Sequence, residues 1–297
     1  MLTVSLAGRD LLRISDLAAA DAEAILDLAV QLRDDPKQPL LAGATLGLYF
    51  SKHSTRTRVS FSVAMTHLGG TAISLTPDEL QLSRGESLPD TARALSRYLD
   101  ALAVRTHEHA ELEAWAEWAS IPVVNALTAD EHPCQALADA LTIRDRLGAL
   151  EGVRVGWVGD GSNVLVSLAA LGDLLGYEVV AACPDGYEPR NKVLRGLRVV
   201  RDPREAVEGA DVVITDTWIS MGQEHERARR LEDLEPYRLD DALLGLASPE
   251  AFVMHCLPAH PGEEIAANVL YGDRSAIWDE AENRLHVQKA LLALLLS

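Results

Sequence analysis

The sequence of 297 residues has few cysteines and lacks any long apolar run. Its three cysteines, Cys134, Cys183 and Cys256, are an odd number without CxxC spacing, so neither a disulfide framework nor a structural zinc site is indicated. No apolar run approaches the roughly 18 residues that span a bilayer, and the opening MLTVSLAGRDLLRIS has no basic segment followed by an apolar core. We therefore expect a cytoplasmic protein without a membrane segment.

Basic residues are also scarce, with 27 lysines and arginines against 45 acidic residues and a formal net charge of -18. Nucleic-acid backbones require a broad positive surface, so a general nucleic-acid binder is excluded. A small anionic ligand requires only a local concentration of positive groups. One segment provides it: SKHSTRTR at residues 51–58, which contains Lys52, Arg56 and Arg58.

The chain is long enough for two cores of medium size, since 48% of its residues are hydrophobic. From residue 45 onward, short apolar or β-branched runs alternate with longer amphipathic stretches, which is the pattern of parallel βαβ units. We predict an α/β protein with two doubly wound parallel-sheet domains joined by interdomain helices. The predicted strands are 45–50, 71–75, 101–106 and 122–127 in the first half, and 153–160, 177–184, 210–216 and 251–258 in the second.

The helices between and after these strands suggest the domain boundaries. Residues 133–150 have a helical apolar period, so we interpret them as the helix that leaves the first half. The last stretch has an acidic start and a strongly apolar end, which predicts a terminal helix. We predict domains at 1–137 and 138–278, with 279–297 as a C-terminal helix that packs back on the N-terminal domain.

The basic segment falls where the first strand meets a helix. Ser54 is a good N-cap, and the backbone N–H groups of Thr55, Arg56 and Thr57 would point out of the first helical turn, where the helix dipole favours an anion. Arg56 and Arg58 oppose that dipole and are costly there unless something negative binds. The alternative is a solvated basic helix start whose arginines pair with nearby acids. The glycines of a Walker A loop are absent.

Two more polar groups follow strands of the first half, at the edge where open α/β sheets bind ligands. Arg105 ends the third strand and is either a surface ion-pair partner or a second prong on a phosphate. His132 precedes Pro133, which fixes a helix start. This histidine is either an ordinary capping or core residue or a neutral imidazole that polarises a carbonyl. We interpret Cys134 as core packing.

The second half carries three such strand ends. Residues 158–164, VGDGSNV, are close to a dinucleotide fingerprint, but Val164 stands at the third glycine position, so an NAD-dependent oxidoreductase is a weak alternative. Ser162 and Asn163 suit a carboxylate better than a pyrophosphate. Asp216 is either a ligand group or a helix cap. Cys256, after His255, is either buried filler or a functional thiol.

Together these segments resemble the aspartate/ornithine carbamoyltransferase family. STRTR at 54–58 and HPCQALAD at 132–139 resemble the two signatures of the family. DTWISMG at 216–222, HCLPAH at 255–260, and the segments 79–106 and 282–292 resemble its ornithine branch. The resemblance covers almost the whole chain. His53 and Ser162 depart from the common pattern, because small or acidic residues and asparagine, respectively, are usual there.

The resemblance implies transfer of a carbamoyl group from carbamoyl phosphate to the δ-amine of L-ornithine, giving L-citrulline and phosphate. It assigns carbamoyl phosphate to the domain 1–137 and ornithine to the domain 138–278. It also implies a homotrimer, because Gln81 would reach the phosphate in a neighbouring subunit. No cofactor and no catalytic metal are expected, since phosphate is already a good leaving group.

Roles for individual residues follow from the same resemblance. The carbamoyl phosphate set is Ser54, Thr55, Arg56, Thr57, Gln81, Arg105, His132 and Gln135. The ornithine set is Asn163, Asp216, Ser220 and Met221; Cys256, Leu257 and Arg284 would help to close the site. Arg105, His132, Asp216 and Cys256 are the expected catalytic residues.

Three alternatives stay within the same resemblance. The first two are carbamoyltransferases for another amine. N-acetylornithine has no α-ammonium that could pair with Asp216, and putrescine has no carboxylate that Asn163 could bind. A non-catalytic binding subunit would be expected to carry damaged STRTR, HPCQ or HCLP motifs, and all three are intact.

Overall fold

The computed structural model describes residues 6–52, 54–189, 195–219 and 223–296, in which short strands alternate with helices. The strands are β1 (Thr45–Phe50), β2 (Thr71–Leu75), β3 (Ala101–Arg105), β4 (Val123–Leu127), β5 (Arg154–Val158), β6 (Glu178–Ala182), β7 (Leu197–Val200), β8 (Val212–Thr215) and β9 (Phe252–His255). The α-helices are α1 (Ala19–Asp34), α2 (Thr55–His67), α3 (Leu88–Leu95), α4 (His109–Trp118), α5 (Pro133–Leu147), α6 (Asn163–Leu175), α7 (Pro203–Val207), α8 (Arg227–Leu234), α9 (Asp241–Leu244), α10 (Ala267–Leu270) and α11 (Ile277–Leu296). Short 3-10 helices lie at Ile14–Asp16, Gln81–Arg84, Glu224–Glu226 and Glu235–Tyr237.

The chain divides into two compact units. Unit 1 contains residues Met1–Leu137 and Arg284–Ser297, and unit 2 contains Ala138–Asn283. Within the described ranges, no helix has the length and apolar character that crossing a membrane requires.

Unit 1 contains a parallel sheet in the order β2-β1-β3-β4. Strand β1 is buried from Leu46 to Phe50 and β3 from Ala101 to Val104, which explains why both appear in the sequence as continuous apolar runs. Strand β2 lies at the edge and is largely exposed. The strand order reverses between β1 and β3, so the carboxyl ends of these two strands border a topological switch point, where α/β sheets bind ligands.

Unit 2 contains a second parallel sheet, in the order β7-β6-β5-β8-β9. Its switch point lies between β5 and β8. The sequence did not predict β7, because this short edge strand exposes its central Arg198 and Val199 and so lacks an apolar run. The predicted α/β fold with two parallel sheets is confirmed.

The helix that follows the first strand of each sheet, counted along the chain, begins with a serine cap. The Ser54 hydroxyl accepts a hydrogen bond from the Thr57 N–H at 3.3 Å, as predicted for α2. The Ser162 hydroxyl accepts from the Val164 N–H at 3.2 Å at the start of α6. Each cap fixes where its helix begins, and therefore which backbone N–H groups face the strand ends.

Helix α11 begins at Ile277, two residues before the predicted start of the terminal helix. Its last part belongs to unit 1. There the fully buried Lys289 donates its ammonium to the backbone carbonyl of Leu32 in α1. The Leu295 carbonyl accepts from the Gly8 N–H at 3.1 Å. The end of the chain is therefore fastened to elements from the beginning of the chain.

Candidate active site

The switch point of unit 1 brings the basic loop after β1 next to the end of β3. The Ser51 N–H donates to the Arg105 carbonyl at 2.9 Å, which extends the pairing of the two strands into the loop. The Arg105 guanidinium donates to Thr57 Oγ1 at 3.5 Å. Thr57 is buried on the first turn of α2, whereas Arg56 on the same turn is exposed. The predicted anion-binding turn and the predicted second guanidinium therefore lie together.

Thr57 also accepts a hydrogen bond from a residue far along the chain. Arg284 donates to Thr57 Oγ1 at 2.9 Å through Nη2 and to Gln135 Oε1 at 2.5 Å through Nη1. All three side chains are buried. A guanidinium has a planar fork of donors and keeps its charge. Arg284 therefore joins the first turn of α2 to the first turn of α5 and adds a permanent positive charge at this place.

His132 lies directly before α5 and is 3% exposed. Burial, together with the nearby Arg284 and Arg105 guanidinium groups, lowers the pKa of His132 well below its ordinary value. The imidazole is therefore neutral at pH 7 and carries one N–H donor. A neutral imidazole in this state can donate a hydrogen bond to an oxygen atom that gains negative charge.

A carboxylate supports the loop and the strand end from behind. Glu111 on α4 accepts from the Tyr49 hydroxyl at 3.0 Å and from the Thr106 hydroxyl. The Ser51 hydroxyl donates to Thr106 Oγ1 at 3.2 Å. Burial and the charge of Glu111 raise the pKa of Tyr49 well above its ordinary value, so the phenol stays a donor. This network fixes Ser51, the first residue of the basic loop, and Thr106, the residue that follows Arg105.

The segment before His132 is held by the start of the chain. The buried Glu131 carboxylate accepts from the Ile14 N–H at 2.9 Å. The Asn125 side chain, at the centre of β4, donates to the Leu12 carbonyl at 2.8 Å. Residues 11 and 124 form a β-bridge beside β4. Residues 11–14 therefore hold both β4 and Glu131, the residue that directly precedes His132.

The switch point of unit 2 is built around the Asp216 carboxylate, which is 5% exposed. One carboxylate oxygen accepts from the Thr217 N–H at 2.7 Å and from the Cys256 thiol at 3.0 Å. The other accepts from the Ser162 hydroxyl at 2.9 Å. Groups from the ends of β5, β8 and β9 thus converge on one carboxylate.

Cys256 follows β9 in a loop that is fixed by His255. Burial and the neighbouring Asp216 raise the pKa of Cys256 well above its ordinary value, so its sulfur is a protonated thiol at pH 7. His255 Nδ1 accepts from the Leu257 N–H at 2.9 Å. His255 Nε2 lies 3.3 Å from Glu264 Oε1 and is therefore the nitrogen that carries the proton. Leu257 has φ +59°, an uncommon conformation for a branched residue.

Two groups of donor atoms in the described part of unit 2 are close enough to meet at one ion. The first contains Asp216, His255 and Cys256, and the second contains His260, Glu263 and Glu264. Both ring nitrogens of His255 already have hydrogen-bond partners, and Glu263 forms an ion pair with Arg227. Neither arrangement therefore offers three ligands that are unengaged.

Comparison with known proteins agrees with this arrangement of two strand-end sites. A model described as the carbamoyl-P binding domain of aspartate/ornithine carbamoyltransferase matches residues 9–145, and one described as the Asp/Orn binding domain matches residues 151–295. The chain belongs to the aspartate/ornithine carbamoyltransferase family. The resemblance predicted from the STRTR, HPCQ, DTWISMG and HCLPAH segments is therefore confirmed.

Relatives of this carbamoyltransferase chain match it along almost its whole length. The ornithine carbamoyltransferase of Parasynechococcus marenigrum is 51% identical over 301 residues, which cover 98% of this chain and 95% of the relative. The solved ornithine carbamoyltransferase from Pyrococcus furiosus has a TM-score of 0.95 and 47% identity and covers 99% of each chain. The one from Thermus thermophilus has a TM-score of 0.91 and 42% identity, over 97% of this chain and 99% of the other.

The predicted site residues of this family member that the structure describes form one group in each unit, with Gln81 in neither group. Contacts or electrostatic effects within unit 1 bring together Thr57, Arg105, His132, Gln135 and Arg284, with Ser54, Thr55 and Arg56 on the same turn as Thr57. Within unit 2, Asp216 contacts Cys256, which precedes Leu257, and Asn163 follows the Ser162 that binds Asp216. Gln81 lies apart from them, exposed on its 3-10 helix. Ser220, Met221 and the unusual His53 lie outside the described residues.

Sequence reasoning missed several residues that support these groups in the carbamoyltransferase chain. Glu111 was not identified, although Thr106 directly after a strand end was a signal that a polar partner was needed. Ser162 was noted only as a departure from the family pattern, yet it donates to Asp216. Asp160 and Arg230 form a largely buried ion pair whose partners are 70 positions apart, which no local pattern reveals.

Proposed function

We propose that this chain is an ornithine carbamoyltransferase, which transfers the carbamoyl group of carbamoyl phosphate to the δ-amine of L-ornithine and releases L-citrulline and phosphate. The Asp216 carboxylate with its Cys256 and Ser162 donors carries the proposal, because it offers an ammonium-binding group at the switch point of the sheet whose domain model is named for aspartate or ornithine. The names of relatives that are about half identical over the full chain support ornithine as the acceptor.

In this proposal, residues 1–137 bind carbamoyl phosphate. The first-turn N–H groups of α2, the hydroxyls of Ser54, Thr55 and Thr57, and the Arg56 guanidinium hold the phosphate. Arg105 bridges the phosphate and the carbonyl oxygen. Gln135 accepts from the carbamoyl nitrogen.

The neutral His132 donates to the carbonyl oxygen together with Thr57 and Arg105. These three donors stabilise the negative charge that develops on this oxygen in the tetrahedral intermediate. Because Arg105 and Thr57 are already in contact, and His132 is fixed by Glu131 and its neighbours, little reorganisation is needed when the charge appears.

Residues 138–278 bind ornithine. Asn163 and the backbone at Met221 take the α-carboxylate, and Asp216 with Ser220 takes the α-ammonium. The δ-ammonium must lose a proton before it attacks, since its unperturbed pKa is about 10.4, like that of a lysine. The Cys256 thiol donates to Asp216, and Leu257 follows it directly. In this proposal, both residues contact the side chain of ornithine.

The reaction then proceeds by attack of the neutral δ-amine on the carbonyl carbon. The new C–N bond forms as the carbonyl electrons move to oxygen, and the C–O bond to phosphate breaks when the intermediate collapses. The nitrogen loses its second proton as citrulline forms. Phosphate is the leaving group, and Arg284 is proposed to help close the site around it.

We also propose a cytoplasmic homotrimer that acts in arginine biosynthesis, with residues 279–297 packed on the carbamoyl phosphate domain. Exposed apolar side chains support a subunit interface in this region, because Ile73 on the edge strand β2 and Val59 on α2 are both exposed. Gln81 is exposed on the segment that follows β2. In the trimer, Gln81 reaches the phosphate of a neighbouring subunit.

Citrulline formation from carbamoyl phosphate tests the proposal. L-ornithine, N-acetylornithine, putrescine and L-aspartate are supplied in parallel to the purified full-length chain, and the carbamoylated product is identified by mass. We expect the highest kcat/KM with L-ornithine. A higher value with any of the other three amines would overturn the assigned acceptor, and no product with any amine would overturn the enzymatic proposal.

A further inference from the structure

Arg230 on α8 is a buried arginine whose guanidinium contacts two different loops of unit 2. Its Nε donates to the backbone carbonyl of Trp218 at 2.6 Å, in the loop after β8. Its Nη2 forms an ion pair with Asp160, in the loop after β5. Glu226 lies 3.6 Å from Nη1. The Arg230 side chain therefore connects the loop after β5 with the loop after β8, which meet at the switch point of unit 2.

Asp160 is fixed as firmly as its partner. Its backbone carbonyl accepts from the Trp157 indole N–H at 3.0 Å. Burial raises the pKa of Asp160 to about 6, even though the adjacent Arg230 opposes that rise. The Asp160 carboxylate needs Arg230 as its partner to stay ionised, because a buried charge without a partner is strongly unfavourable.

Packing around this ion pair leaves the loops little freedom. The Arg230 guanidinium carbon lies 4.9 Å from the centre of the Tyr187 ring, and the Tyr187 carbonyl accepts from the Gly161 N–H at 2.7 Å. A Cβ on Gly161 would lie 2.4 Å from the Pro189 nitrogen, so only glycine fits there. The indole of Trp218 is 1% exposed. Close packing of this kind transmits small displacements instead of absorbing them.

The two anchored loops carry the groups that face the acceptor. Asp160 precedes Ser162 by two residues, and Trp218 follows Asp216 by two residues. Ser162 and Asp216 are joined by the hydrogen bond of 2.9 Å. Arg230 thus fixes the chain on both sides of that bond, but among the described residues it forms no hydrogen bond or ion pair with Ser162 or Asp216 itself.

We propose that Arg230 is a positioning residue for the amino-acid substrate: by bonding Asp160 and the Trp218 carbonyl, it sets the separation of Ser162–Asn163 from Asp216. This inference rests on the proposed function, since it assumes that these residues bind ornithine. It assigns Arg230 no contact with either substrate.

The test compares four variants of the full-length chain. Arg230→Met removes the guanidinium and keeps the length of the side chain. The double variant Arg230→Met, Asp160→Asn removes both buried charges, so that no charge is left alone. Arg230→Lys keeps a charge but loses the fork. The control is Arg229→Met, because Arg229 is exposed on the same helix and pairs only with Asp233 among the described residues.

The measurements are KM for each substrate, kcat, thermal unfolding, and binding of L-norvaline, which is ornithine without its δ-nitrogen. We expect Arg230→Met to raise the KM for ornithine and the Kd for norvaline about 10- to 100-fold, because small misplacement of binding groups costs that much. The KM for carbamoyl phosphate should change less than about twofold. We expect the double variant to recover thermal stability but not norvaline affinity, and Arg230→Lys to fall between Arg230→Met and the wild type.

Three outcomes would overturn the positioning role. One is wild-type norvaline affinity in a folded Arg230→Met protein. Another is a double variant that regains stability and norvaline affinity together, since Arg230 would then be structural only. The last is an equal rise of KM for both substrates. A wild-type chain that neither forms citrulline nor binds norvaline would instead contradict the proposed function.

Discussion

The two strand-end sites have the same architecture but opposite charge. In unit 1, Arg105 at the end of β3 and Arg284 on α11 both donate to Thr57 on the first turn after β1, and burial beside these two arginines keeps His132, after β4, neutral. In unit 2, the loops after β5, β8 and β9 bring hydroxyl, N–H and thiol donors onto the Asp216 carboxylate. One sheet therefore presents cations and the other presents an anion at equivalent positions.

The sheet topology determines where each site lies, and the residues that follow the strands determine its charge and its hydrogen-bonding groups. Both sheets are parallel, and in both a serine caps the helix after the first strand along the chain. Ser54 begins a turn with arginines, whereas Ser162 donates to a carboxylate. In the proposed function, an acidic protein with a net charge of -18 thus binds an anion in one unit and an ammonium in the other.

The largest expected effect comes from removing a cation of unit 1. Arg105→Ala should lower kcat/KM about 10²- to 10³-fold, because in the proposed mechanism it removes a donor to the developing oxyanion. Steady-state kinetics with both substrates and a thermal unfolding curve are the measurements. Lys37→Ala is the control, since this exposed cation precedes β1, at the other end of the strand from the basic loop. Citrulline formation near the wild-type rate would remove Arg105 from the site.

Replacing the anion of unit 2 should affect only one substrate. Asp216→Asn is expected to raise the KM for ornithine about 30-fold or more, as loss of one partner of a buried charge pair typically does. The KM for carbamoyl phosphate should stay within about twofold. Asp211→Asn is the matched control, because Asp211 precedes the same strand and accepts from the Arg154 N–H at 2.9 Å. Equal losses for both substrates would contradict the division of labour between the units.

The smallest effect concerns pH and belongs to unit 1. The pKa of His132 is lower in the folded state than its ordinary value of about 6.5. Below that value the unfolded chain binds a proton that the folded chain does not, so stability is present above pH 6.5 and is lost as the pH falls below it. The loss is at most about 1.4 kcal/mol per pH unit.

His132→Gln should remove this contribution. Unfolding by urea is compared at pH 7.5 and pH 5.5 for the two proteins, and the wild type should lose about 1.4 kcal/mol more over this interval than the variant. His109 and His67, whose pKa values are also lowered by burial, contribute equally to both proteins and cancel in the difference. Identical pH dependence would show that the imidazole of His132 is not kept neutral by the fold.

Local patterns in the sequence predicted most of the fold. Buried parallel strands are continuous apolar runs, and Ser54 before a basic helical turn is a recognisable cap. Strand β7 was missed because an exposed edge strand of four residues has no apolar run. The start of α11 was misplaced by two residues, since Ile277 and Trp278 precede the acidic segment that suggested a helix start.

The candidate site was predicted unevenly. Strand ends identified Arg105 in unit 1, and Asp216 and Cys256 in unit 2, as groups at the ligand-binding edge of their own sheet, and the family resemblance added Gln135 and Arg284. No pattern in the sequence indicated that Arg284 would donate to Thr57, because the two are 227 positions apart. Supporting residues such as Glu111 and Arg230 were missed for the same reason: their partners are set by tertiary packing, not by spacing.

Unit 1 is discontinuous along the chain, since it needs residues 284–297 as well as 1–137. Synthesis proceeds from the N-terminus, and domains generally fold as they emerge. The first β-sheet is therefore translated long before Arg284 and Lys289 exist, and all of unit 2 must be made in between. A nascent chain that stops short of residue 284 would lack the guanidinium that joins Thr57 to Gln135, so the proposed anion site would be incomplete in every unfinished copy.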